Sequence, residues 1–178
     1  MPSLSLLQLI RRDVAANRGY PKSVLVLVLF RVAHHLKTRT RPWSKLLYAP
    51  VAVIYKLTSE WMLGIEIPVG TKIGAGLRLR HGIGVVINPH VVIGDDVMIR
   101  QSVTLGNRYA EDDTPTIGDH VEIGAGAIII GRCSIGMRAR IAAGAVVIHD
   151  VPVDGVAHPA AATIRPARSK TGQFDAGV

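Results

Sequence analysis

The residue whose type and position most readily support chemistry is His81. From Ile67 to Val147 aliphatic residues recur every sixth position, and this register breaks twice. The first break is an eight-residue step from Leu79 to Ile87, falling on Arg80-His81-Gly82-Ile83-Gly84. Of the seven histidines, His81 alone sits at a break. Imidazole titrates near neutrality and can take a proton from an attacking hydroxyl, a contribution of typically about 10²–10⁴ in rate. His81 is therefore the candidate general base, against the alternative of a corner histidine bonded to a backbone carbonyl. His90, His120, His149 and His158 lie on regular corners or in the tail and read as structural. The second break, a twelve-residue step from Leu105 to Ile117, covers the polar segment Asn107 to Thr114 and predicts a loop leaving the repeat. No cluster has metal-ligand spacing, so no metal is predicted.

What must position His81 is the repeat itself. Its series runs Ile67, Ile73, Leu79, Ile87, Ile93, Ile99, Leu105, Ile117, Ile123, Ile129, Ile135, Ile141 and Val147. Four residues after most of these stands a second small or aliphatic side chain, as in Leu77, Val97, Val103, Val121, Ala127, Cys133, Ala139, Ala145 and Val151. No α-helix has a six-residue period. A strand-plus-turn unit of six residues cannot bury its apolar side alone, but three make a triangular coil, and stacked coils enclose a continuous aliphatic core. The fold class is thus mainly β, a parallel β-helix. Gly74, Asn88, Gly94, Gly118, Gly124 and Gly136 are expected to give the corners permissive backbone angles. Cys133 is in phase with the inward set and reads as packing, and a lone cysteine excludes an internal disulfide.

The first 64 residues read differently. Leu4 to Asn17, about Lys22 to Lys37, and about Pro42 to Thr58 carry helical periodicity, with Gly19, Pro21 and the polar Thr38 to Arg41 between them. The organisation is then a helical segment over 1–64, a β-helix over 65–155 with an extruded loop at 107–116, and a tail over 156–178. Of the formal net charge of +8, nearly all lies in the first third, where ten Lys and Arg face only Asp13 and Glu60. No aromatic interleaving or recognition-helix pattern accompanies it, which argues against nucleic acid. A solvated helix face or peripheral contact with an anionic inner-membrane surface are the readings left. The apolar run Val24 to Phe30 is far short of a membrane span, and Met1 to Ile10 lacks the features of a cleaved signal, so a cytoplasmic location is expected.

Several stretches carry a resemblance. Lys72-Ile73-Gly74, His81, Gln101-Ser102-Val103-Thr104-Leu105-Gly106, Ile123-Gly124-Ala125-Gly126-Ala127 and Ile141-Ala142-Ala143-Gly144-Ala145 resemble the serine O-acetyltransferases of the hexapeptide-repeat acyltransferases. The resemblance covers nearly all of residues 66–152. It implies a left-handed β-helix and acetyl transfer from acetyl-CoA to a hydroxyl. It further implies a His81 base oriented by a carboxylate fifteen residues upstream, here Glu66 in place of the family's Asp. By the same matching Asn107, Ala125 and Ala143 fall where the family binds CoA, Gly106 and Asn107 offer amides to a developing oxyanion, and Arg140 and the C-terminal segment could meet the cofactor phosphates.

The acceptor side departs from serine. Where the serine enzymes carry an acidic residue immediately before the catalytic histidine, this chain has Arg80; their Arg-His pair is absent, with Asp113-Thr114 in its place. Arg12-Asp13 matches a further acidic residue of the serine site, which puts Asp13 with Arg80 on the acceptor side. Arg12-Asp13-Val14-Ala15-Ala16-Asn17, Phe30-Arg31 and Asp112-Asp113-Thr114-Pro115-Thr116-Ile117-Gly118-Asp119 are more similar to the exopolysaccharide members, the colanic-acid-type acetyltransferases. That implies a sugar hydroxyl acceptor. Because the family's active sites lie between neighbouring β-helices, a homotrimer is expected, with the 107–114 loop forming part of the site wall. Serine O-acetylation and a non-catalytic β-helix scaffold are the rival readings.

Overall fold

In the computed structural model, which describes residues 4–160, the six-residue period becomes a three-sided solenoid. One face is built from β1 (Ile65–Glu66), β4 (Val85–Ile87), β7 (Thr104–Gly106), β10 (Ile128–Ile130) and β13 (Val146–Val147). The second comprises β2 (Lys72–Ile73), β5 (Val92–Ile93), β8 (Thr116–Ile117) and β11 (Ser134–Ile135). The third comprises β3 (Arg78–Arg80), β6 (Met98–Arg100), β9 (Glu122–Ile123), β12 (Arg140–Ile141) and β14 (Val156–Ala157). Every pairing is parallel and joins each strand to its equivalent one coil away, as Leu79 to Ile99 and Ile99 to Ile123. Twelve of the thirteen periodic aliphatics are buried, Ile73 being partly covered, and the second inward set is buried with them. Cys133 belongs to this core, and burial, reinforced by Asp150 and Asp113, pushes its thiol up in pKa, away from the reactive thiolate.

The corner glycines differ from expectation. Gly74, Asn88, Gly94, Gly118, Gly124 and Gly136 do not adopt positive φ; the left-handed corner angles fall on Gly76, Gly84, Gly126 and Gly144 and on non-glycine residues such as Asp96 and His120. The glycines of the first group are small because successive coils touch there. A Cβ on Gly94 would stand 2.8 Å from the Asp119 amide nitrogen and 2.9 Å from the Gly118 carbonyl carbon, both backbone atoms of the next coil. Gly126, at φ 68°, has open space around it. Gly94→Ala is therefore expected to cost about 3 kcal/mol, the upper range for overpacking, because the neighbouring coil itself must shift. Gly126→Ala should cost only about 1–2 kcal/mol, the penalty of a left-handed Cβ. Chemical denaturation of both variants beside the parent checks the ordering.

A solenoid's first coil presents an open strand edge, and here helices cover it. The helices are α1 (Leu6–Ala16), started by a Ser5–Gln8 capping box, α2 (Pro21–Thr38) and α3 (Pro42–Lys56), the last running into a π-helical turn over Leu57–Met62. Their buried polar side chains take the backbone bonds that a preceding coil would have made. Asn17 donates to the Leu77 carbonyl at 2.7 Å and accepts from the Leu79 amide at 3.0 Å. Ser23 donates to the Leu79 carbonyl at 2.8 Å, and Tyr55 donates to the Ile67 carbonyl at 2.6 Å. Arg31 reaches the carbonyls of Ile73 and Gly74, while Asp13 Oδ1 accepts from the amides of Gly76 and Leu77. Asp13 and Arg31 also pair with each other at 2.7 Å, with 1% and 3% of their side chains exposed. These residues carry the charge that a low-dielectric edge tolerates only when it is fully paired.

Candidate active site

Hydrogen bonds across the corner between the third and first faces show what the eight-residue step inserts. Ser102 N donates to Ile83 O at 2.9 Å, Gly126 N to Gln101 O at 3.0 Å, and Gly144 N to Ala125 O at 2.9 Å. Ile83-Gly84, Gln101-Ser102, Ala125-Gly126 and Ala143-Gly144 are thus equivalent steps of one column. The two extra residues are His81 and Gly82. The insertion pushes His81 out of the column while Gly82 remains buried over Ile65. His81 is exposed and has φ 58°, but Asp96, Ser102, His120, Arg138 and Asp154 share that left-handed angle, so the angle belongs to corners and the site is marked by the insertion.

Around His81 the structure gathers residues that spacing did not reveal. Tyr20, in the turn between α1 and α2, meets its ring edge-on at 5.5 Å between centroids. The Arg80 guanidinium lies over the other aromatic partner of this trio, 4.4 Å from the Tyr20 centroid, and donates to the Ala16 carbonyl at 3.2 Å. Its Nη1 is buried with no hydrogen-bond partner. Arg80 thus joins this group by stacking on Tyr20. A cavity of about 330 Å³ opens beside His81, lined by Tyr20, Pro21, Leu63, Ile65 and Ile83. A shallower depression joins His81 and Ile83 to Gln101 and Ser102. Gln101-Ser102 carried a signal, since they belong to the matched stretch; Tyr20 and Leu63 carried none, because they arrive from the helical segment.

Further along the column, the structure brings Ala125, Ala143 and Arg140 together. With Arg100, Glu122 and Gly124 they line a groove of about 400 Å³ on the third face. Arg140 is exposed and stands 4.0 Å from Glu122. His81 and Ala143 are three coils apart, about 14 Å at ordinary strand spacing. The C-terminal segment beyond residue 160, expected to help with phosphates, lies outside the described residues.

Other expected members are not brought together within the chain. Asp13 is buried in the edge network, its carboxylate shared among Arg31 and two amides, and so has no face for an acceptor. Its acidic character serves the coil edge; an acceptor role is corrected on that ground. Gly106 and Asn107 stand at the opposite edge of the first face from His81, across a three-residue strand or about 10 Å. Asn107 there accepts from Asn88 at 3.2 Å, and the loop folds back through Asp113, which accepts from the Arg132 amide at 2.7 Å. Within one chain the loop therefore stands at the other corner of the first face from His81. Glu66 is exposed on β1, whose approach is tied to the histidine corner by Gly84 N donating to Gly64 O at 2.7 Å. Among the described residues no hydrogen bond joins Glu66 to His81. The described residues also contain no group of His, Cys, Asp and Glu able to hold a metal.

Comparison with known proteins agrees with this architecture. Residues 114–149 match the bacterial transferase hexapeptide family of six repeats. The chain is 38% identical over 143 residues to a protein of Escherichia coli K12 bearing the name colanic acid biosynthesis acetyltransferase WcaB, covering 79% of this chain and 88% of that one. It is 36% identical over 162 residues to a serine acetyltransferase of Helicobacter pylori J99, covering 87% and 91%. Among solved structures, serine acetyltransferase isoform 3 of Entamoeba histolytica in complex with cysteine superposes with a TM-score of 0.74 at 29% identity, over 93% of this chain and 62% of that chain. A serine acetyltransferase solved in complex with CoA gives 0.71 at 28% identity, over 85% and 66%. The chain thus spans just under two thirds of these solved proteins.

Proposed function

The chain belongs to the hexapeptide-repeat acetyltransferases, and from that membership we propose that it transfers an acetyl group from acetyl-CoA to a sugar hydroxyl in exopolysaccharide synthesis. The observation that carries acetyl transfer is the corner column, which runs from an inserted, exposed histidine along a small-residue groove lined by Arg100 and Arg140. An extended pantetheine arm spans such a distance. Small side chains allow its close approach, and the guanidinium groups suit its phosphates.

In the chemistry this arrangement supports, His81 takes the proton of the acceptor hydroxyl as its oxygen attacks the thioester carbonyl. The carbon–sulfur bond then breaks, and the imidazolium returns the proton to the departing thiolate. Glu66, exposed on β1 and not bonded to His81 in the free chain, is the carboxylate that turns to the ring and orients it once substrate is bound. Gly106 and Asn107 reach this chemistry from a neighbouring copy. In a homotrimer the opposite placement of the two corners lets the Asn107 edge of one subunit face the His81 edge of the next.

Arg80 decides the acceptor. A cation 4.4 Å from the Tyr20 ring, beside His81, repels the ammonium group that a free amino acid would bring and accepts a neutral or anionic glycan. The acceptor is tested by following CoA thiol release from acetyl-CoA with a panel of sugars and glycans beside L-serine. Faster release with sugars is the expected result. Preference for serine would reassign the chain to serine O-acetylation, and no release with any hydroxyl would favour a scaffold.

A further inference from the structure

α3 and the π-helical turn expose a stripe of apolar side chains that the fold leaves uncovered. Residues 43, 47, 50, 54, 57 and 61 follow steps of three and four, one face of a helix, with Leu46 beside them, and the aliphatic and aromatic members are all about half or more exposed. Leu46 is 78% exposed, Trp61 76% and Met62 76%. Trp43 and Trp61, the chain's two tryptophans, stand at the two ends of the stripe. The opposite side of α3, through Ser44 and Tyr55, is buried against the rest of the protein. A stripe this wide and this apolar is costly in water.

Charge selects the occupant. Arg39, Arg41 and Lys45 are exposed around the start of α3, and Lys56 flanks its end. The only acids of the helical segment are Asp13, buried against Arg31, and Glu60, which is 3.6 Å from Lys56. A second copy laid face to face would oppose cation to cation. An anionic bilayer opposes them with phosphate and gives the stripe an acyl boundary, with tryptophans at headgroup level. Among the described residues no helix is long and apolar enough to cross a membrane, so the helix would lie in the interface plane.

We propose that the outward face of α3 and the π-helical turn docks the protein onto an anionic lipid surface. Leu63, which directly follows Met62, lines the cavity at His81, so the docking face runs up to the edge of that cavity. The benefit of that proximity, access to an acceptor carried on lipid, rests on the proposed acetyl transfer; the docking does not.

The test uses the full chain with vesicles of phosphatidylcholine, with and without phosphatidylglycerol, in flotation assays read alongside intrinsic tryptophan emission. The expected result is at least about tenfold tighter partition onto the phosphatidylglycerol vesicles, with a blue shift in emission. The double variant Leu46→Glu/Trp61→Glu should lose at least about tenfold of that partition while keeping the parent's circular dichroism and its thiol release with a soluble acceptor. Absence of binding to phosphatidylglycerol vesicles, or equal binding by the double variant, overturns the proposal. If in that case the parent sediments as a larger species than the double variant, the stripe is a contact between copies. Loss of thiol release in the parent bears only on the acetyl-transfer reading.

Discussion

Replacing His81 by Asn is expected to lower the turnover of acetyl-CoA by about 10²–10⁴-fold, the range that a positioned general base contributes. Asn is the informative substitution. It tolerates the left-handed angle that His81 adopts, so the backbone need not move, but it cannot accept the hydroxyl proton. The ring is exposed, and its described contact is the edge-on approach to Tyr20, so thermal stability should change little. Thiol release measured beside a melting curve separates the two effects. Undiminished thiol release in a variant that melts with the parent would remove His81 from the chemistry.

The second large effect concerns stability. Arg31→Met is expected to cost about 3–5 kcal/mol, because it strips the partner from a buried carboxylate and leaves the Ile73 and Gly74 carbonyls unpaired at the solenoid's edge. Adding Asp13→Asn to Arg31→Met should recover part of the loss, since the amide side chain still accepts from the Gly76 and Leu77 amides without burying a lone charge. Denaturation of the two single variants and the double completes the cycle. An additive result, with no recovery, would mean that Asp13 and Arg31 act on the edge independently.

The solenoid was legible in the sequence because burial in a parallel coil imposes one side-chain requirement at one spacing, and Ile87, Ile99 and Leu105 meet it wherever the chain turns. The His81 insertion was legible for the same reason, as a break in that spacing. The glycines were legible as small residues but not for the right cause: sequence shows that Gly94 lacks a Cβ, whereas only stacking shows that the next coil occupies its place. Asp13 misled because an acidic residue matched to a substrate-binding position has the same identity when it caps a strand edge. Tyr20 and Leu63 obey no repeat, and their approach to His81 depends on how the helices dock. The loop after Asn107 was visible as an interruption, while its corner, opposite to His81, follows from which face it leaves.

The central claim is that His81 serves as the general base for transfer of an acetyl group from acetyl-CoA to a sugar hydroxyl. It is tested most directly by incubating the protein with acetyl-CoA labelled in the acetyl group and a glycan acceptor, then identifying both products by mass spectrometry. The account predicts free CoA and O-acetylated glycan in equal amounts from the parent chain, and neither above background from His81→Asn. Labelled O-acetylserine formed in preference to acetylated glycan, or undiminished product from His81→Asn, would contradict it.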